Sequence, residues 1–333
     1  MNLKGKGKYI GIGISVITIF IFAFIYGPLN LLRTFLSLPQ GFVVFFLAAM
    51  CLHILSFMFW ASRISILSRA NGIRIRFSKA LDVVVTSLFA ASLTPGYVGG
   101  EPVRVKKLID YGANAGTSTA IVLGERGLDS IFFTSVFFIV VITGLEVISG
   151  QLRLYATIGI IVLIFFIVFL ILSIRMHKFA GRIGATIERL ISKLRTRGRF
   201  LKINEMNFAG EVQSYSSSTR RIFIGKPKYL AAGISVTALM WLSDFSVPLM
   251  LLIGFGVFPS FLYVIFIQII LVLISLIPLT PGSAGLMEVL MIATFSIFLS
   301  HSHLVAFVIM WRFITFYFNI ILGSFALHKV VTE

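Results

Sequence analysis

The sequence predicts an all-α, polytopic integral membrane protein. Its 333 residues are 58% hydrophobic and only 12% charged, with a mean hydropathy of +1.01. Soluble domains, in contrast, are about 45–50% apolar and about 25% charged. The apolar runs are continuous, whereas membrane strands alternate apolar and polar residues, so helices are expected. The composition excludes a soluble enzyme, a nucleic-acid-binding globule and a disordered chain.

The charged residues indicate which surfaces the protein meets. Lysine and arginine number 29 against 12 acidic residues, which gives a net charge of +17. They cluster between apolar runs, as in cytoplasmic loops that face anionic phospholipid. Membrane lipids are therefore the expected partners, nucleic acid is not, and homo-oligomerisation is left open. The lone cysteine, Cys51, excludes an intramolecular disulfide framework and a cysteine-based metal site. No metal site and no cofactor are predicted.

The apolar runs give the candidate helices. About 20 residues are needed to cross the bilayer core, and two of the runs, 81–93 and 286–299, fall well short of that length. The other candidates are 9–25, 41–60, 118–143, 154–174, 229–254, 261–277 and 303–327.

Basic loops set the predicted orientation. The N-terminal lysines, the segment 63–79 with five basic residues, and the segment 175–228 with 13 basic residues against three glutamates should all be cytoplasmic. They lie on one side only if 81–113 enters the membrane and returns as a re-entrant hairpin. The same reasoning applies to 261–299. We therefore predict about six full spans, two re-entrant broken-helix hairpins of opposite orientation, and cytoplasmic termini in a cell membrane.

The long basic segment 175–228 contains two further features. Residues 179–201 form a basic, mildly amphipathic stretch, which is expected to lie on the cytoplasmic leaflet. Residues 214–219 are serine-rich and predict a flexible polar connector. The whole segment is predicted to be a basic cytoplasmic loop within a single transmembrane domain that spans residues 1–333.

A short motif occurs twice, 186 residues apart. Leu-Thr-Pro-Gly-x-x-Gly begins at Leu93 and again at Leu279, each time after a short apolar run and shortly before a glutamate. Proline and glycine interrupt helices, and inverted repeats with broken helices are typical of transporters. We predict an inverted repeat with halves near 41–145 and 229–327. Two tight turns at the membrane surface remain the alternative. The predicted helix-break residues are Pro95, Gly96, Gly99, Pro281, Gly282 and Gly285.

These motifs resemble a known family. The stretch from Leu93 to Arg104, the following Glu125-Arg126-x-x-Asp129, and the second break with Glu288 and Arg312 resemble the lysylphosphatidylglycerol synthase transmembrane-region family, whose members are also called flippase-like domain proteins. The resemblance covers about residues 9–327. In multiple peptide resistance factors this region translocates aminoacylated phosphatidylglycerol, which a separate soluble domain makes. The resemblance therefore implies lipid handling, without naming the lipid for this chain.

Several ionisable residues fall in or beside the apolar runs. A charge at the bilayer centre costs about 2.5–3.5 kcal/mol on insertion scales, so these side chains should face a protein interior or a cavity. We expect the acids to outnumber Arg126 and Arg312, which would leave room for a cationic group. A structural ion-pair network is the alternative. The predicted substrate-binding residues are Glu101, Arg104, Glu125, Arg126, Asp129, Asp244, Glu288 and Arg312.

Two other polar residues have weaker patterns. His53 lies inside an apolar run and is predicted to be a packed histidine rather than a ligand. Asp82 follows a basic loop and is predicted to cap a helix.

The leading functional prediction is a lipid translocase for a polar-headed lipid, with aminoacylated and glycosylated lipids among the candidates. Two alternatives remain open: a membrane-embedded transferase that modifies a lipid, and an ion-coupled transporter of a soluble solute. No Walker motif, zinc-protease motif or nucleophile elbow occurs in the sequence, so no catalytic residue is predicted and a transporter is favoured over an enzyme.

Overall fold

A computed structural model describes residues 28–142, 161, 164, 168, 208–277, 279–280 and 282–332. The predicted first span at 9–25, the amphipathic stretch 179–201 and the helix-break residue Pro281 lie outside the described residues. So does the run 154–174, apart from three positions.

All regular elements of the described residues are helical. In chain order they are α1 (Pro28–Leu36), α2 (Phe42–Ala70), α3 (Phe77–Ser92), α4 (Gly100–Asp110), α5 (Ala115–Ile142), α6 (Phe208–Arg220), a π-helical turn (Arg221–Gly225), α7 (Pro227–Gly254), α8 (Phe261–Ser275), α9 (Leu286–Phe295), α10 (His301–Arg312), a second π-helical turn (Phe313–Tyr317) and α11 (Phe318–Thr332).

Three of the described helical stretches are long and apolar enough to cross a membrane: Phe42–Ala70, Pro227–Gly254 and His303–Ala326. Most predicted boundaries agree with the helices to within a few residues, but α2 continues ten residues past the predicted end at Trp60. The first part of the supposed basic loop is therefore helix. This extension carries Arg63 into the protein interior, where its side chain is 1% exposed.

The helices repeat in the same order of length in the two halves. A long helix (α2 or α7) is followed by a shorter one (α3 or α8), a break, a short helix (α4 or α9), and a final long helical stretch. Within the first half, α3 and α4 pack against each other across the break. Between the halves, α2 packs along α7, and α11 packs on α3. In the second half, α8 is buried over most of its length, and it lies in the largest hydrophobic cluster.

The two breaks share a left-handed turn at their first glycine, although they differ at the last one, where φ is −66° for Gly99 and +82° for Gly285. Gly96 has φ +60° and Gly282 has φ +57°, and each is followed by a residue that is also left-handed, Tyr97 (φ +59°) and Ser283 (φ +50°). These pairs are again 186 residues apart. The Gly282 amide donates a hydrogen bond of 3.0 Å to the Thr94 carbonyl. The two breaks therefore lie against each other, and the backbone groups that each break frees are partly satisfied by the other.

Residues 214–219 correct one prediction. They lie within α6, and Ser216, Ser218 and Thr219 are buried, so the flexible connector is wrong. Helix α6 packs closely on α5 at Gly116, where a Cβ atom would lie 2.0 Å from the Glu211 carbonyl oxygen. Small residues allow helix backbones to approach in this way, and serines and threonines then bond across the contact. A serine-rich stretch suits such a contact as well as it suits a loop.

Candidate functional site

A cluster of three arginines and three acids lies where α2, α4 and α5 meet. Arg63 donates through Nε to Glu125 (3.1 Å) and through Nη1 to Asp129 (2.6 Å). Arg104 donates to the other oxygen of Glu125 at 2.9 Å. Glu125 and Asp129 are four residues apart on α5, so both carboxylates point to the same face. Arg63 lies between them and holds both.

Two tryptophans complete the cluster. The indole of Trp60 donates to Glu125 and that of Trp241 donates to Asp129, each at 2.7 Å. The guanidinium of Arg104 lies 4.9 Å from the centre of the Trp60 ring. The carboxylates are therefore held by neutral as well as charged donors, and one arginine face is covered by an aromatic ring.

Arg126 joins this cluster to the first break. Its Nε donates to Glu101 at 2.7 Å, and its Nη1 donates to Asp129 at 3.3 Å. Glu101 lies in the first turn of α4, where the helix dipole favours a negative charge. The two side chains remain partly exposed, at 22% for Arg126 and 34% for Glu101.

The second break has its own ion pair. Arg312 donates to Glu288 through Nε (2.7 Å) and Nη2 (3.0 Å), and its Nη2 donates to the Ser283 carbonyl at 3.1 Å. Glu288 also accepts from the Gly285 amide at 2.7 Å, in the first turn of α9. Both charged side chains are buried, at 2% and 5% exposure. Arg126 and Arg312 are 186 residues apart and their glutamates 187, so the two arginine–glutamate pairs occupy nearly the same place in the repeat.

The charges of these groups balance, which corrects the expected excess of acids. Arg63 and Arg104 are present in addition to Arg126 and Arg312, and together these four face Glu101, Glu125, Asp129 and Glu288. The expected excess set these four acids against Arg126 and Arg312 alone, without Arg104 and without Arg63, which lies in the basic segment 63–79. An argument that a cationic group must enter to neutralise the acids therefore fails.

A cavity of about 200 Å³ opens between the two halves. Of the eight predicted binding residues, Arg104, Arg126, Asp129 and Asp244 line it. Glu125 lies behind the lining, between two arginines, and Arg312 with Glu288 lies beneath the second break. Glu101 instead lines a neighbouring groove of about 400 Å³ between α4 and α5, with mainly apolar side chains. Seven of the predicted residues thus belong to two ion-paired clusters beside the cavity, and Asp244 pairs with His53 instead.

The sequence of this chain is similar to known protein sequences. The family model described as "Lysylphosphatidylglycerol synthase TM region" matches residues 9–323. The chain belongs to this family. It is also similar to proteins named "UPF0104 membrane protein": one from Archaeoglobus fulgidus at 33% identity over 290 residues (85% of each chain), and one from Methanothermobacter thermautotrophicus at 27% over 270 residues (78% of this chain, 77% of the relative). A third, from Pyrococcus horikoshii, is 23% identical over 304 residues, covering 89% of this chain and 90% of the relative.

Membership of the lysylphosphatidylglycerol synthase transmembrane-region family confirms the resemblance inferred from the motifs. The matched range includes both breaks and all eight predicted binding residues. Together with the long apolar helices, it shows a multi-pass membrane protein.

Several site residues were missed or misassigned by sequence. Arg63, Trp60, Tyr97 and Asn319 all line the cavity but carried no motif. A signal did exist on α2, where His53, Ser56, Trp60 and Arg63 form a polar stripe at helical spacing. His53 is buried and packed, as predicted, but it also bonds two polar side chains.

Asp82 lies inside α3 and does not cap it. Instead it accepts from Lys107 at 2.8 Å and also bonds the Tyr111 hydroxyl, so it ties α3 to the end of α4. The loss of the capping role has a simple cause: α3 begins at Phe77, five residues before the aspartate.

Proposed function

We propose that this protein is a lipid translocase that carries a phosphate-bearing, polar-headed lipid past the two breaks through the central cavity. The observation that carries the proposal is the cavity itself, which lies between two mutually hydrogen-bonded breaks and presents arginine side chains. Irregular backbone at membrane depth is tolerated where it is buried in protein or lines a polar cavity. Discontinuous helices that meet around such a site are typical of alternating-access transporters.

The side chains of the cavity suit a lipid head group that contains phosphate. Arg63, Arg104 and Arg126 line it, and the guanidinium group donates two parallel hydrogen bonds to a phosphate. The Nε of Arg104 is buried and has no hydrogen-bond partner among the described residues. A buried unpaired donor is costly, so a bound acceptor at this atom would be stabilising.

A route for the acyl chains is present beside the cavity. The groove between α4 and α5 is lined mainly by apolar residues, including Val98, Val105 and Val122. Glu101 belongs to this groove and its partner Arg126 belongs to the cavity, so a single ion pair stands between the two spaces. A lipid with its head in the cavity would keep its chains in this groove.

The breaks are proposed to reach the membrane interior from opposite leaflets. At about 1.5 Å per residue, α3 is about 24 Å long and α4 about 16 Å, which is short of the roughly 30 Å hydrocarbon core. In this arrangement the termini and the basic segment 175–228 are cytoplasmic.

A pair of cysteines tests this topology. In a Cys51→Ser background, Gln213→Cys places an exposed thiol on α6, and Phe258→Cys places one in the exposed loop before α8. A membrane-impermeant maleimide added to intact cells should label the cysteine at position 258 and spare that at 213. The reverse pattern, or labelling of both, would contradict the proposed re-entrant hairpins.

The translocase activity is tested in vesicles. The full chain is reconstituted into phosphatidylethanolamine/phosphatidylglycerol vesicles that contain phosphatidylglycerol with a nitrobenzoxadiazole dye on one acyl chain. Dithionite bleaches only the dye in the outer leaflet, so empty vesicles should lose about half of their fluorescence by symmetry. Vesicles with the protein should lose nearly all of it.

Arg126→Ala is the informative variant, since Arg126 stands between the groove and the cavity. It should abolish the additional bleaching while the protein remains folded. Arg33→Ala, which removes an exposed arginine on α1 that does not line the cavity, is the matched control and should behave as wild type. If Arg126→Ala folds and translocates normally, the proposed route is wrong.

A further inference from the structure

The cavity wall contains a histidine that neither ion-paired cluster uses. His53 on α2 is 4% exposed. Its Nδ1 lies 2.7 Å from Oδ1 of Asp244 on α7, and its Nε2 lies 3.0 Å from Oδ1 of Asn319 on α11. All three residues line the cavity. Both ring nitrogens of one imidazole therefore face oxygen atoms.

The orientation of the Asn319 amide decides what each oxygen can do. Its Nδ2 donates to the Thr315 carbonyl at 2.6 Å, so its Oδ1 points to the histidine. The opposite orientation would place the amide oxygen against the Thr315 carbonyl oxygen, and two acceptors repel. The carbonyl-type oxygen of Asn319 has no hydrogen to give. The Nε2 atom of His53 must therefore carry the hydrogen of that bond.

A count of hydrogens then shows that a neutral His53 beside an ionised Asp244 has one proton too few to form both hydrogen bonds. A neutral imidazole carries one N–H, and it is used at Asn319. With an ionised Asp244, the lone pair on Nδ1 would face a carboxylate oxygen at 2.7 Å, which is repulsive. One added proton, on Nδ1 or on the carboxyl group, turns this contact into a hydrogen bond. We propose that His53 and Asp244 form a binding site for one exchangeable proton, which is bound in the conformation seen here.

The other charged groups around the cavity determine how this proton changes the local net charge. The titratable side chains that share the lining are Arg63 from α2, Arg104 from α4, Arg126 and Asp129 from α5, and Tyr97 from the first break; within the described residues there are no others. The arginines are balanced by acids, as shown above. Proton binding at His53 and Asp244 therefore sets whether this part of the protein is neutral or carries one negative charge.

A negative charge there opposes the entry of an anionic head group, and a bound proton removes it. Proton and anionic lipid thus favour each other's binding, and this coupling must be reciprocal. This step rests on the proposed translocase function. The proton also holds the two halves together, because His53 belongs to the first half and its two partners belong to the second. Its loss removes one of the two hydrogen bonds across that contact.

Spectroscopy tests the proton site without reference to any lipid substrate. The full chain, labelled with ¹⁵N-histidine, is placed in phosphatidylethanolamine/phosphatidylglycerol vesicles at neutral pH, and His53→Gln assigns the ring signals. We expect either two N–H groups on His53 or an infrared carboxylic-acid band that disappears in Asp244→Asn. Ser62→Ala, on the same helix, should retain the wild-type spectra. A His53 ring with one N–H beside an ionised Asp244 would overturn the site.

Transport tests the coupling separately. With one proton per lipid, a difference of one pH unit across the membrane should shift the leaflet ratio of the dye-labelled phosphatidylglycerol by up to about tenfold. Asp244→Asn should lose this dependence on the gradient. An even distribution in the wild type, with translocation intact, would overturn the coupling. If the wild type does not move the lipid at all, the translocase function is wrong and the coupling falls with it, while the spectra still decide the proton site.

Discussion

The two arginine–glutamate pairs have the same position in the repeat but different surroundings. In each, an arginine Nε donates at 2.7 Å to a glutamate in the first turn of the helix after the break. Arg312 is 2% exposed and also holds carbonyls of its own break, whereas Arg126 is 22% exposed and faces the cavity. Protein encloses the Arg312–Glu288 pair, whereas the Arg126–Glu101 pair lies between the cavity and the groove.

This difference indicates a division of roles. Removing one member of a buried pair leaves the other charge buried without a partner, which is strongly destabilising. A partly solvated pair, in contrast, costs little free energy to break and form again. The second pair therefore fixes the shape of its break, while the first is suited to open in the translocation that we propose. The contrast should appear in the free energy of unfolding of single variants in mixed detergent micelles, from a large loss at Arg312 to a small one at Arg126.

Arg312→Ala should have the largest effect. It leaves Glu288 buried and without its guanidinium partner, and removing one member of a buried pair costs about 3–5 kcal/mol. Glu288→Gln combined with Arg312→Met should recover much of this loss, because the double variant has no stranded charge. A folded, fully stable Arg312→Ala would show that the buried pair contributes nothing to its break.

Gly282→Ala should be the next most destabilising change. A Cβ atom here would lie 2.3 Å from the Phe316 ring and 2.7 Å from the Ser92 carbonyl oxygen, at a left-handed φ of +57°. Left-handed backbone costs a non-glycine residue about 1–2 kcal/mol, and the steric overlap adds to this.

Gly285→Ala separates these two contributions. Gly285 also has a positive φ, of +82°, although it is paired with a ψ of −52°, and no atom lies within 4 Å of the added Cβ. Gly285→Ala should therefore lower the thermal unfolding temperature clearly less than Gly282→Ala does. Equal losses would show that the contact between the two breaks does not constrain Gly282.

Arg126→Ala should change stability little, in contrast to Arg312→Ala. Asp129 keeps its bonds to Arg63 and Trp241, and Glu101 remains about one-third exposed. We expect a loss of about 1 kcal/mol or less, the range of solvated pairs. A destabilisation as large as that of Arg312→Ala would remove the proposed difference between the two pairs.

The repeat could be predicted from the sequence, but not every partner of its charged side chains could. The spacing of the two Leu-Thr-Pro-Gly-x-x-Gly motifs predicted both breaks and both first-turn glutamates, because proline, glycine and helix dipoles act locally. Arg63 was missed because the charge of a residue says nothing about whether its helix has ended. Glu125 pairs with arginines from two other helices, Arg63 and Arg104. Which arginine it meets depends on helix packing, which the local pattern does not encode.

Tyr97→Phe should have the smallest effect. It tests whether the cavity is linked to the Arg312–Glu288 pair through the Tyr97 hydroxyl. The Tyr97 hydroxyl lies in the first break and is 3.5 Å from Nη1 of Arg312 in the second half. That length is at the limit of a hydrogen bond, so its loss should cost well under about 1 kcal/mol, and the ring that lines the cavity is retained. Dithionite bleaching and unfolding should both stay close to wild type. A large fall in the translocation rate with normal stability would instead show that this contact forms more tightly in another step of the cycle, and that the buried pair senses the cavity through Tyr97.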